Sequence, residues 1–140
     1  LLLLPARPTV AQTAPANDLC QNATIVFGSS RIYGNASNAT DDLPGMVGCQ
    51  AGTASRSFPE VWYTFVADSS ALRFSLTAYL DSVSLHLFSG TCAGLTLEGS
   101  WCGTPDSSGN TAISGTHNGL VTGRSYYLAV GLVQRGGFQM

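Results

Sequence analysis

The sequence predicts an all-β protein: an antiparallel β-sandwich of jelly-roll or Greek-key type, with about eight or nine strands and no significant helix. Three observations carry that prediction. Apolar and polar residues alternate over several short runs, as in Leu72, Phe74 and Leu76 against Arg73, Ser75 and Thr77. Gly- and Ser-rich turn sequences separate those runs at roughly 8- to 14-residue spacing, the interval of a sandwich or barrel. No stretch repeats its apolar residues at the helical period. The 140 residues suit one domain, and 44% hydrophobic against 10% charged residues is enough to fill a core.

Residues 1–16 are read as a signal-peptide remnant and linker. Leu1–Leu4 resembles the end of a secretory apolar region, and Thr9-Val-Ala11 or Ala14-Pro-Ala16 fits a small-residue cleavage step. Four leucines are far short of the roughly 20 apolar residues that span a bilayer. Residues 17–140 form the sandwich domain and stop within a strand. Thr24–Phe27 and Ser30–Tyr33 are its first two strands. A Gly- and Ser-rich loop follows, with an extended piece near Asn35–Thr40. Glu60–Val66 carries apolar bulk on both faces, Val61/Tyr63/Phe65 and Trp62/Thr64/Val66, which predicts a central strand covered on both sides or half-covered by a loop. The Leu72–Leu76 alternation is the fourth strand. In the fifth, Val83, Leu85 and Leu87 alternate with Ser84, His86 and Phe88, the pattern of a sheet with one wet face. A turn is expected at Ser89-Gly90. Leu95–Ser100 closes at Trp101-Cys102, one more strand lies between Thr111 and Val121, Ser125–Leu132 is the last long strand, and Gly136-Gly137 turns into Phe138.

Cys20, Cys49, Cys92 and Cys102 form no Cys-x-x-Cys pair, and two histidines are a poor ligand supply for zinc, so the even count reads as two disulfides of a secreted chain. Three connectivities are open. The simplest joins neighbours, Cys20–Cys49 and Cys92–Cys102, with roughly 3–4 and 2.5–3 kcal/mol of loop entropy. Asn22, Asn35 and Asn38 each head an Asn-x-Ser/Thr sequon. They are candidate N-glycosylation sites in a eukaryotic secretory pathway and Asn-rich turns in most bacteria.

Four pieces occur in fixed order: Ala16-Asn-Asp-Leu-Cys20-Gln-Asn-Ala23, Pro59-Glu-Val-Trp-Tyr-Thr-Phe65, Asp81-Ser-Val-Ser-Leu-His-Leu-Phe-Ser-Gly-Thr-Cys92, and Gly123-Arg-Ser-Tyr-Tyr-Leu-Ala-Val130 with Gly136-Gly-Phe138. Together they resemble the secreted β-sandwich modules related to bacterial pre-peptidase C-terminal domains. The resemblance implies a jelly-roll accessory domain, carried beside peptidases, adhesins and other surface proteins, without catalysis of its own. Two departures stand out. Ser75-Leu-Thr-Ala78 occupies a stretch where relatives often carry a further Cys. Glu98-Gly-Ser-Trp101 replaces their acidic pair, which removes the basis for carrying over a calcium role.

The residues themselves point the same way. His86, on the outward side of its strand, has Ser84 and Phe88 as same-face neighbours rather than an acid or nucleophile, and His117 sits in a Gly-flanked segment. There is no Gly-x-Ser-x-Gly elbow, His-Glu-x-x-His or phosphate loop, so no enzyme activity is expected. No cofactor is expected. Calcium is the one metal the acids leave open, through Asp41-Asp42 with Asp81 or Asp106, although Asp is equally a turn residue. Trp101, Tyr33, Tyr79 and Tyr127 are candidate sugar-stacking rings, Trp101 foremost because it is placed in a loop beside Cys102. A net charge of −2 excludes a nucleic-acid footprint. The expected function is a non-catalytic secreted or cell-surface accessory or adhesion module of a larger protein, with an extracellular protein or glycan as partner and no membrane span. The alternatives are a carbohydrate-binding module and the non-catalytic part of a secreted peptidase.

Overall fold

The computed structural model describes residues 13–43, 58–133 and 136–140. These hold one 3-10 turn, Cys20–Asn22, and nine strands: β1 (Thr24–Ile25), β2 (Tyr33–Asn35), β3 (Glu60–Val66), β4 (Ala71–Tyr79), β5 (Val83–Thr91), β6 (Gly94–Gly103), β7 (Asn110–Asn118), β8 (Ser125–Leu132) and β9 (Gly137–Gln139). They form two sheets. One has the order β1-β3-β8-β5-β6 and the other β2-β9-β4-β7. From β3 onward the chain crosses between the sheets at every connection except β5–β6, and every strand pair is antiparallel except β1 with β3. The all-β sandwich is therefore as the sequence predicts. Among the described residues, no helix is long and apolar enough to cross a membrane.

β3 has the expected limits because it is a dense run of β-branched and aromatic residues with no turn former inside it, and β8 has them because Tyr126, Leu128, Val130 and Leu132 share one buried face. Two other elements depart from expectation. Phe27–Ser30 closes a turn, with Ser30 N–H donating to the Phe27 carbonyl and Ser29 at φ 62°, so β2 begins only at Tyr33. β5 runs on through Ser89 and Gly90 to Thr91, opposite β6, and the chain reverses at Cys92-Ala93 instead. Gly90 is at φ 96°, and a Cβ there would collide with the Gly94 carbonyl, so this glycine serves a close strand approach rather than the turn itself.

The main core lies between the sheets. Val61, Leu85, Leu87, Leu128 and Val130 meet Leu76, Ala78, Ile113 and Phe138 there, and the Tyr63 and Phe138 rings stand edge to face at 6.2 Å. A second cluster covers the other side of the five-stranded sheet: Trp62, Phe88 and Ala129 under Cys20 and Leu43, with Ala23, Cys92, Leu95 and Tyr127 packed against them. The chain leading into the sandwich is laid on β3 by one backbone and one side-chain bond, Trp62 N–H to the Asn17 carbonyl at 2.8 Å and Asn17 Nδ2 to the Trp62 carbonyl at 2.9 Å. It is locked there by a disulfide between Cys20 and Cys92, with Cα atoms 5.7 Å apart.

That disulfide overturns the neighbour pairing. Cys20 joins Cys92, so neither Cys20–Cys49 nor Cys92–Cys102 forms. Cys102 is also disulfide-bonded, and Cys49 lies outside the described residues. The same covering corrects the wet face expected of β5. Ser84 and His86 point outward as their alternation requires, yet they are buried, on the side of the sheet where Cys20 and Leu43 cover Trp62, Phe88 and Ala129.

Candidate functional surfaces

Two of the candidate side chains are spent on structure. His86 stands in a row with Trp62 and Ala129 across β3, β8 and β5 and is only 4% exposed. Its Nδ1 lies 3.0 Å from Ser100 Oγ, and burial pushes its pKa down to about 4, so the ring is neutral. His117 is half-buried and meets Trp101 edge to face at 6.1 Å.

The acids separate into three places. Asp106 caps its own turn, accepting from Ser108 N–H and Asn110 N–H. Asp81 is buried, accepting from Gly136 N–H at 3.2 Å while its carbonyl takes the Thr111 hydroxyl. Asp41 and Asp42 lie beside a residue that sequence reasoning passed over, Glu60, which is 2% exposed. Asp42 N–H donates to Glu60 Oε1 at 2.7 Å. Burial, reinforced by the negative charges of Asp41 and Asp42, pushes the Glu60 carboxyl up to about 8. The signal for Glu60 was present: a lone acid opening a strand whose two faces are both apolar. Among the described residues, no three His, Cys, Asp or Glu side chains gather as a metal-ligand group.

The aromatic candidates divide by sheet. Trp101 is in strand β6 rather than a loop. It faces inward and half-buried, its ring 4.5 Å from Phe74. Tyr127 is half-buried against the Trp62 cluster. Tyr33 and Tyr79, at 72% and 65% exposure, both project from the outer face of the four-stranded sheet. Tyr33 pairs with Gln139, and Gln139 with Thr77, two residues before Tyr79. Two strand spacings across and two residues along put the two Tyr Cα atoms about 12 Å apart. Gly137, between them on β9, leaves the space over the sheet open. The rest of this face is Asn35, Gln139, Ser75, Thr77, Asn110, Ala112, Ser114, Thr116 and Asn118, with Arg73 its one charge.

Of the sequon residues, Asn22 is exposed in the 3-10 turn and Asn35 is exposed at the end of β2, its Oδ1 accepting from Ser37 N–H at 2.6 Å. Asn38 is half-buried at φ 60°.

The four-stranded sheet also borders a cleft of about 480 Å³. Its walls are residues 26–32 and the Leu72–Thr77 part of β4, its floor is Phe65 and Leu128 of the opposite sheet, and Gln139 and Met140 close one end. Val26, Ile32, Phe65, Leu72, Phe74 and Met140, which the main core leaves half-covered, all line it. Among the described residues, these side chains are left half-covered on this side of the sandwich.

Compared with known proteins, the chain matches no family, no curated protein and no solved structure.

Proposed function

We propose that this chain is a non-catalytic module of a secreted or cell-surface protein, and that it works by adhesion to neutral glycans through the outer face of its four-stranded sheet. The observation that carries the reading is the composition of that face. Two exposed tyrosines stand about 12 Å apart on a rigid sheet, among hydroxyl and amide side chains that carry almost no charge. A tyrosine ring offers a flat apolar surface with a polar tip, which suits the apolar faces of sugar rings, and Asn, Gln, Ser and Thr supply donors and acceptors for their hydroxyls. Because the rings sit on paired strands, little side-chain order has to be gained on binding. The Cys20–Cys92 disulfide suits an oxidising compartment, and the resemblance to secreted accessory sandwiches supports the same setting.

Affinity electrophoresis of the purified chain in gels containing neutral polysaccharides tests this. Retardation that is lost in Tyr33→Ala and Tyr79→Ala, both substitutions on an exposed face that leave thermal stability nearly unchanged, is the expected result. Retardation that survives the double substitution, or none with any neutral polysaccharide, overturns the glycan reading.

A further inference from the structure

We propose that the outer edge of β7 pairs with the same edge of a second copy of this chain, antiparallel, about a two-fold axis at Gly115. The inference goes beyond the glycan-facing surface and does not depend on it.

The edges of the two sheets are protected unequally. Among the described strands, the end strands are β1 and β6 in one sheet and β2 and β7 in the other. β1 and β2 are only two and three residues long. β6 is long, but its register slips opposite Leu87 and Phe88, and Glu98 puts a charge beside the slip. Short length, bulges and charges all discourage further pairing at an edge. β7 has none of these devices. Its nine residues include no Asp, Glu, Lys, Arg or Pro, and it pairs with β4 from end to end without a shift.

The ladder fixes which backbone groups point outward. Leu80 N–H donates to the Gly109 carbonyl and Gly119 N–H to the Ser70 carbonyl, extending the β4–β7 register at both ends. Bonded residues alternate in an antiparallel pair, so Thr111, Ile113, Gly115 and His117 bond to β4. Asn110, Ala112, Ser114, Thr116 and Asn118 therefore aim their N–H and C=O groups away from it. Asn110 is already taken: its carbonyl accepts from Asp106 N–H, and its N–H donates to Asp106 Oδ1. The other four take no backbone partner outside the ladder among the described residues. Their midpoint is Gly115. A two-fold axis there sets Ser114 against Thr116 of the copy and Ala112 against its Asn118, so each of the four donates and accepts one bond. On the inner side the axis passes between two glycines, at a position where a Cβ would strike Phe74, and Ile113 stands beside His117 of the copy. No like charges meet anywhere along the pair. An edge that matches itself in this way suits a second copy, because a two-fold interface needs a self-complementary patch. Cross-strand neighbours share a face, so the two outer faces come to lie on the same side of one continuous sheet.

Sedimentation equilibrium and amide hydrogen exchange on the whole chain, run over a concentration series, test the proposal. Strand pairing alone makes a small interface, so the expected result is a weak dimer assembling between about 10 µM and 1 mM. Exchange at Ala112, Ser114, Thr116 and Asn118 should slow as it forms. Ser114→Pro removes an outward N–H that β4 does not use, and should weaken the dimer about tenfold or more. Charge tests the register. Ala112→Lys with Asn118→Glu places opposite charges across the pair, and should tighten the dimer about threefold or more over either single variant. A chain that stays monomeric at millimolar concentration, or a dimer protected on another strand, overturns the proposal. So does a dimer indifferent to the charge pair, whether or not Ser114→Pro folds. A monomer whose outward β7 amides are already slow overturns the second copy, because the edge is then filled from within the chain.

Discussion

Replacing Glu60 by Gln should make the protein more stable in base and leave it unchanged in acid. Glu60 holds its proton in the folded chain up to about pH 8, because burial and the charges of Asp41 and Asp42 oppose ionisation, while its ordinary value is 4.5. Between those limits folding takes up a proton, so stability is complete below pH 4.5 and is lost as pH rises toward 8. At about 1.4 kcal/mol per pH unit the full interval corresponds to about 5 kcal/mol, and relaxation around the charged carboxylate reduces that to roughly 2–4 kcal/mol. Glu60→Gln keeps an Oε1 acceptor for Asp42 N–H and removes the titration. Urea unfolding followed by Trp fluorescence at a series of pH values measures both proteins. The curves should coincide near pH 4.5 and diverge to roughly 2–4 kcal/mol in favour of the variant by pH 8.5. Parallel curves, or a variant less stable in base, would refute the reasoning, because they mean that Glu60 ionises without cost in the fold.

The remaining expectations follow from the same buried face. His86 behaves in the opposite sense: its pKa is held at about 4 against 6.5, so stability present above 6.5 is lost as pH falls through 4, and His86→Gln should flatten that limb by roughly 1–3 kcal/mol. Cys20→Ala removes a crosslink between residues 72 apart and should lower unfolding free energy by roughly 2–4 kcal/mol in denaturant titration, with Trp62 opened to quencher. Trp62→Ala should cost about 3–5 kcal/mol. Trp62→Phe should cost distinctly less, because the buried Nε1–H has no hydrogen-bond partner among the described residues and its removal recovers about 1–3 kcal/mol. A Phe variant as unstable as the Ala variant contradicts that account.

How far the sequence was legible depended on whether the deciding contacts were local. β3 could be read to the residue because its run holds no competing turn former, and β8 because Tyr126, Leu128, Val130 and Leu132 alternate onto one face. The two apolar faces of β3 likewise announced a strand covered on both sides, which the Trp62 cluster and the main core bear out. β5 misled because Ser84 and His86 alternate with Val83, Leu85 and Leu87 as solvent-facing residues do; they are buried on a face that residues distant in sequence, Cys20 and Leu43 among them, help to cover. Nothing in the local pattern encodes that. The crosslinks failed for the same reason. Loop entropy favours near neighbours, but Cys20 and Cys92 meet because Cys20 packs over Trp62 and Phe88 at the end of β5. The aromatics sorted by face in a way alternation alone could not settle: Trp101 faces inward to Phe74, whereas Tyr33 and Tyr79 face out from the other sheet.

These departures place the proposed glycan surface. The five-stranded sheet is covered on both sides where β3, β8 and β5 run together, and its polar residues there are committed, His86 to Ser100 and Glu60 to the Asp42 backbone. Binding through that region would require the Cys20–Cys92 clamp to open. Among the described residues, the outer face of the four-stranded sheet carries no such cover. Strand β4 presents Thr77 and Tyr79 on that open face, while Leu76 and Ala78 beside them are buried in the core. Tyr79 therefore stands on a strand fixed by core burial, so its removal tests binding without disturbing that burial.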